Sequence, residues 1–213
     1  MRWRDLDDDR FASDVTHWRR MRFWNKQFGL KDIWELILKR LDKSNLLDLN
    51  IASIDGSLIQ SFNFLDTTGY SGKYKRAGTK LSLITDFLGT PFNVVFASGN
   101  KHDVSLTIPT IINNSIGKPG IILADKGYDS DKLRLTLSNF GIKSNIAVRN
   151  SGNRKETINY NIPLGKMRFK IERTNAWIKT FRRLRFRFDY TLASFQALTY
   201  LGLIVICLRK LIK

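Results

Sequence analysis

Ile51-Ala-Ser-Ile-Asp-Gly-Ser-Leu-Ile59 sets one carboxylate, Asp55, inside a run of small and β-branched residues. Such a run reads as a strand inside a sheet, where Asp is depleted because an unpaired buried charge is costly. Either Asp55 lies on an edge strand facing water, or bonds a neighbouring Ser, or it is placed there for chemistry. Outward from it, the strand spans 49–60 and a basic, Gly-containing loop follows over 69–78. Two more strands, 80–87 and 92–97, are joined by the turn residues Leu88-Gly89-Thr90-Pro91 and predict an antiparallel hairpin.

Further on, 103–115 suits a helix if Pro109 falls in its first turn. Residues 120–124 form a short, wholly apolar run, the mark of a strand buried on both faces. A helix over 129–140 stops at Gly141, and 143–148 reads as a fifth strand. The polar stretch 150–165 predicts a loop, 167–184 a helix, and 195–211 a closing apolar helix to be buried on the chain's own sheet. Three strands, then helix, strand, helix, strand and helix, predict an α/β fold with a mixed sheet flanked by helices. That is the order of ribonuclease H-like domains, expected here over 49–213. Residues 1–48 read as a small helical N-terminal appendage. Asp14 or Thr16 caps a helix to Gln27, Gly29 interrupts, and Ile33, Leu36, Ile37 and Leu41 recur at helical spacing. Trp3, Trp18, Trp24 and Trp34 are read as packing side chains rather than stacking platforms.

Composition narrows the function. The 213 residues are 43% hydrophobic and 12% aromatic, which excludes wholesale disorder. One cysteine, Cys207, and two histidines exclude an intramolecular disulfide and a zinc finger. Any metal must be held mainly by carboxylates, which suits Mg2+ or Mn2+. The charged start is no signal peptide, and the apolar stretch 197–208 is shorter than the ~20 residues of a spanning helix. The expectation is a soluble, cytoplasmic, nucleoid-associated protein without a membrane partner. The net charge is +17, from 36 Lys and Arg against 19 Asp and Glu. Fourteen of those basic residues and only 3 of the acids fall in 151–213. A field this one-sided attracts a polyanion such as nucleic acid, although a ribosome-like or membrane-surface patch has the same composition.

Two other carboxylates stand out. Asp125 ends the buried run Ile121-Ile-Leu-Ala124, at the carboxyl end of a strand, where α/β proteins place their sites. A turn or capping Asp is the alternative, although Asp129, Ser130 and Asp131 already serve the next helix. Glu172 is the one acid among nine basic residues over 166–187. On a helix, Met167, Ile171, Thr174, Ile178 and Phe181 line one face, and Arg168, Glu172, Asn175, Lys179 and Arg182 the adjacent one. Glu172 is then either half of an i,i+4 pair with Arg168, worth a few tenths of a kcal/mol, or a metal ligand among phosphate-binding cations. Three carboxylates can hold two divalent ions about 4 Å apart for phosphodiester chemistry.

Together these residues resemble the bacterial insertion-sequence transposases with an Asp-Asp-Glu (DDE) triad, most like insertion-sequence families four and five. The motifs are Trp-Arg-Asp-Leu at 3–6, Ser-Ile-Asp-Gly-Ser at 53–57, Gly-Asn-Lys-His-Asp at 99–103, Leu-Ala-Asp-Lys-Gly-Tyr-Asp-Ser at 123–130, and Arg-x-x-x-Glu-Arg-Thr-x-Ala-Trp at 168–177 followed by Lys179. The family's Tyr three residues before the Arg is Gly165 here. Members begin further upstream, so the resemblance implies an N-terminally truncated chain that retains part of a DNA-binding region. It also implies a transposase that cuts and joins element ends by metal-dependent transesterification, with Asp55, Asp125 and Glu172 as catalytic metal ligands. Its partners would be terminal inverted repeats and target DNA, with self-association on DNA. Arg168, Arg173, Lys179, Arg182, Arg183, Lys73, Lys75 and Arg76 would bind DNA. His102 and Asp103 either assist the chemistry or cap the following helix. Two alternatives stay open: a ribonuclease H-like nuclease without strand transfer, and a catalytically inactive transposase-derived DNA-binding protein.

Overall fold

The computed structural model describes residues 12–27, 29–62, 65–149 and 160–212. Trp3, the 3–6 motif and the greater part of the 150–165 stretch lie outside them. Strand β1 (Ile51–Ser61) is central. On one side it pairs antiparallel with β3 (Arg76–Thr85), which sets Asp55 opposite Leu83. On the other it pairs parallel with β5 (Ile121–Ala124), Ser53 opposite Leu123. Beyond β3 lies β4 (Pro91–Ser98), antiparallel, preceded along the chain by the short β2 (Gly69–Ser71), which pairs with the start of β3. Beyond β5 lies β6 (Lys143–Ile146), parallel. The order β4-β3-β1-β5-β6 is ribonuclease H-like, as the sequence predicts.

Two local devices fix the strand ends. Between β3 and β4 the buried Asp86 accepts the Thr90 N–H at 2.6 Å and the Asp48 N–H at 3.1 Å. At β6, Asn145 uses its side-chain amide as a strand would use its backbone, accepting from Asn161 N–H at 2.8 Å and donating to its carbonyl at 3.0 Å.

Helix α3 (Asp103–Ile112) follows β4, and Pro109 lies inside it rather than in its first turn. The helix survives the lost backbone bond because Leu106, Thr107, Thr110 and Ile111 are buried. Helix α4 (Asp131–Asn139) is capped by Ser130. It closes on Gly141 at φ 74, with Gly141 N–H donating to Ser138 and Ile142 N–H to Leu137. The predicted 150–165 loop is corrected at its end, where Asn161 caps a short α5 (Ile162–Lys166). The predicted 167–184 helix is two, α6 (Phe169–Thr180) and α7 (Arg182–Arg185), broken where Phe181 turns extended at ψ 111. A two-residue β7 (Phe186–Arg187) then pairs with the end of β1.

Helix α1 (Asp14–Gln27) starts from Ser13, whose Oγ accepts the Thr16 N–H at 3.4 Å, so neither Asp14 nor Thr16 is the cap. Helix α2 (Leu30–Lys43) buries Leu30, Trp34, Leu38 and Leu41 and leaves Ile33 and Leu36 exposed. The predicted stripe was displaced because periodicity alone admits both sets. Trp34 selects one: its Nε1–H donates to Cys207 Sγ at 3.4 Å and its ring lies 5.7 Å from that of Tyr200, both on α8 (Leu192–Leu211). Trp18 and Trp24 are 37% and 48% exposed, so among the described tryptophans of this region only Trp34 is a core residue. Helix α8 has 20 residues and, contrary to the 12-residue reading, is long and apolar enough to cross a membrane. Half of it is buried within the molecule, Phe195, Leu203 and Cys207 completely.

Candidate active site

The parallel partner of β1 is short. Strand β5 pairs it over Ile51–Ser53 and β7 only at Gln60 and Ser61, so among the described residues the middle of that edge has no ladder partner. This leaves a notch at the carboxyl end of β5, with Asp55 on its wall. Asp55 is therefore not an edge-strand residue turned to solvent. Its Oδ2 accepts from Asn175 Nδ2 at 2.9 Å. Burial pushes its carboxyl upward from the usual range, against the Arg168 guanidinium, the Gly56 N–H and Asn175, with Asp103 adding to the rise.

Asp125 follows β5 directly. It stands two residues beyond the last paired position of the two strands, Ser53 with Leu123. Its Oδ1 accepts the Lys126 N–H at 2.6 Å and opens a turn over Lys126–Tyr128, so the turn role is realised too. Glu172 lies in the first turn of α6, and its Oε1 is 3.2 Å from Arg168 Nη2. The other terminal nitrogen, Nη1, is 3.8 Å from Asp125 Oδ1. Arg168 thus touches two of the three carboxylates and acts electrostatically on the third. Among the described residues no group of three or more His, Cys, Asp or Glu side chains converges closely enough to hold a metal ion. The positive charge between these carboxylates is a guanidinium.

His102 occupies the N-cap position of α3 but makes no capping bond through its side chain. Asp103 does not cap either: its Oδ1 pairs with Lys80 Nζ at 2.9 Å, and Lys80 also donates to the Lys101 carbonyl at 2.5 Å. This pair leans on β1 at Gly56. A Cβ there would meet Asp103 Oδ1 at 2.3 Å and the Tyr128 hydroxyl at 3.3 Å. Tyr128 is held protonated, its hydroxyl pushed well above the usual range by burial and by Asp103 and Asp55. The sequence reading passed over Lys80, Tyr128 and the role of Asn175. The signal for Lys80 was a cation directly before the run Leu81-Ser-Leu-Ile84 in a strand read as buried.

The cations named as DNA ligands are differently placed. Lys73, Lys75 and Arg76 are exposed around the β2–β3 turn, with Arg76 Nη1 donating to Gln60 at 3.1 Å. Arg182 is exposed, and Arg173 stacks 5.0 Å over Trp177. Lys179 senses Asp55 across the notch. Arg183 is turned inward, 2.5 Å from the buried Asp189. Arg187 is structural: fully buried, it donates to the carbonyls of Asp189 and Tyr190 and to Thr79 Oγ1.

Residues 47–208 match the family described as "Transposase DDE domain". The Burkholderia cepacia "Putative transposase for insertion sequence element IS402" is 34% identical over 145 residues, 64% of this chain and 65% of that protein. This chain therefore spans just under two thirds of that relative. The Brucella ovis "Putative transposase for insertion sequence element IS6501" is 29% identical over 62% of this chain and 98% of its own. The HTLV-2 integrase catalytic core domain, solved in complex with magnesium, superimposes on 74% of this chain and 84% of its own at 16% identity and a TM-score of 0.44.

Proposed function

The chain belongs to the transposase DDE domain family, and from that premise we propose that it is a DNA transposase that cuts and joins insertion-sequence ends. What supports the reading is one juxtaposition: an aspartate inside the central strand, an aspartate just past the carboxyl end of its parallel neighbour, and a glutamate joined to the second aspartate through a shared arginine.

The donor set suits a divalent cation in its chemistry, and the three side chains would have to draw together around it. All three side chains offer hard carboxylate oxygens, matched to Mg2+ or Mn2+. The rise in the Asp55 carboxyl is the strain that an added positive charge relieves. When bound, such ions supply a nucleophile at neutral pH and neutralise the attacking and leaving oxygens of the phosphodiester. The chain's own residues do the rest. Asn175 holds one oxygen of Asp55 and so fixes the direction of the other. Gly56 leaves room for the Asp103–Lys80 pair to pack against the strand one residue from Asp55. Lys179 near the end of α6 and Arg182 at the start of α7, both exposed, offer cations to the DNA backbone, which gives affinity without sequence information. The two ends of an element must be joined in concert, which calls for two copies paired on DNA; α8, half buried on the chain's own core, favours a monomer away from it.

The test is a strand-transfer assay on duplexes carrying the inverted repeats that flank the coding sequence, with Mg2+ or Mn2+. Joined products carrying the labelled 3′ end are expected. Cut product without joining would replace this reading by that of a nuclease, and retention without cutting by that of a binding protein.

A further inference from the structure

The cation at the centre of the notch is Arg168, and its contacts are not those of a permanent ion pair. Nη2 lies 3.2 Å from Glu172 and Nη1 3.8 Å from Asp125, neither bidentate. Asp125 and Glu172 keep 44% and 58% of their side-chain surface exposed. Nε is buried and has no hydrogen-bond partner. Arg187, by contrast, is bonded at all three of its nitrogens, and the buried side chains of Asp129 and Asp189 hold Arg134 and Arg183 at 2.9 and 2.5 Å, closer than either acid holds Arg168. Arg168 stands just before α6, at the junction with α5 through Met167, and keeps 18% of its side-chain surface exposed.

We propose that Arg168 is a placeholder counter-charge: it offsets part of the negative charge of Asp55, Asp125 and Glu172 in the cation-free protein and must leave the notch when a divalent cation enters. This rests on the transposase reading of the site and adds a competition that the reading does not contain. A divalent cation would need the Asp125 and Glu172 oxygens that the guanidinium now contacts, and at that range the two cations repel each other. Cation binding therefore carries the cost of detaching the arginine. Once detached, the guanidinium lies at the mouth of the notch and is free to take a phosphate oxygen by paired N–H donors. Arg168 is thus a positioning residue that couples cation entry to DNA engagement. The same guanidinium is not available to DNA while the carboxylates lack metal.

The test measures Mn2+ affinity of the DNA-free protein by electron paramagnetic resonance, together with the thermal midpoint of the metal-free form. Arg168→Gln removes the charge and keeps hydrogen-bonding capacity. It is expected to bind Mn2+ about tenfold more tightly than wild type and to melt at a lower temperature without metal, since three carboxylates then face one another unscreened. Arg168→Lys, which keeps the charge, is expected to bind Mn2+ as wild type does and serves as the comparison should the Gln variant fold poorly. Equal or weaker Mn2+ binding by Arg168→Gln, with wild type binding normally, would overturn the competition and leave the metal site standing. The absence of Mn2+ binding in all three proteins would overturn the site itself, and the competition with it.

Discussion

At Asp55 the physics of one residue decides what the strand is for. A central β-strand tolerates a carboxylate only with partners, and this one has Asn175, a backbone N–H and a guanidinium at a distance. The neighbouring pair is more demanding. Lys80 keeps 8% of its side-chain surface and Asp103 21%, so removing one partner leaves the other largely desolvated. Lys80→Met is expected to cost about 3 kcal/mol in urea unfolding, and Lys80→Met/Asp103→Asn to recover at least half of it. A double variant no more stable than the single one would mean that Lys80 acts through packing alone. Asp55, Asp125 and Glu172 were legible because each stands against its local pattern. Asn175 and Tyr128 were not, since an Asn on a polar helix face and a Tyr in a turn offend no rule until the sheet brings them to Asp55 and Asp103.

Elements were legible where period and punctuation agreed. The hairpin turn, the Gly141 stop and the short apolar β5 could each be read from a few residues. The break at Phe181 could not, because it answers a tertiary contact: a Cβ on Gly202 of α8 would approach Leu184 at 2.9 Å and Phe181 at 3.4 Å. The α2 stripe failed in the same way, its face being chosen by where Trp34 finds Cys207. The β3–β4 turn yields a pH prediction. Burial holds the Asp86 carboxyl above its ordinary 3.8, against the Thr90 and Asp48 N–H groups and Lys210. A raised folded-state value means that the folded protein keeps this proton more tightly than the unfolded chain. That contribution to stability is complete below 3.8 and is lost as pH rises through the raised value. The stability difference between wild type and Asp86→Asn should therefore shrink as pH rises through that window, measured from urea midpoints. A difference that does not change with pH would show that Asp86 is ionised throughout.

Over the whole molecule, charge is concentrated in the chain's last third, but the fold sorts it. Arg187 and Arg183 are spent inside, on Thr79, Asp189 and the Tyr190 carbonyl. Lys73, Lys75 and Arg182 remain at the surface. Composition could count these cations, whereas only the packing of β7 and α8 could divide them. Replacing Lys73, Lys75 and Arg182 together by Gln is expected to lower the slope of log affinity for duplex DNA against log salt by about 2.7. Arg183→Gln should leave that slope unchanged and lower the thermal midpoint. An unchanged slope in the triple variant would remove this surface from the DNA interface.

The central claim is that Asp55, Asp125 and Glu172 act together on a phosphodiester. It is tested most directly by Mn2+-dependent strand cleavage of a flanking inverted-repeat duplex by wild type, Asp55→Asn, Asp125→Asn and Glu172→Gln, with DNA retention measured in parallel. The account predicts cleavage by wild type, loss of it to background in each variant, and retention of DNA by all four. Cleavage at the wild-type rate by any one of the three variants would contradict it.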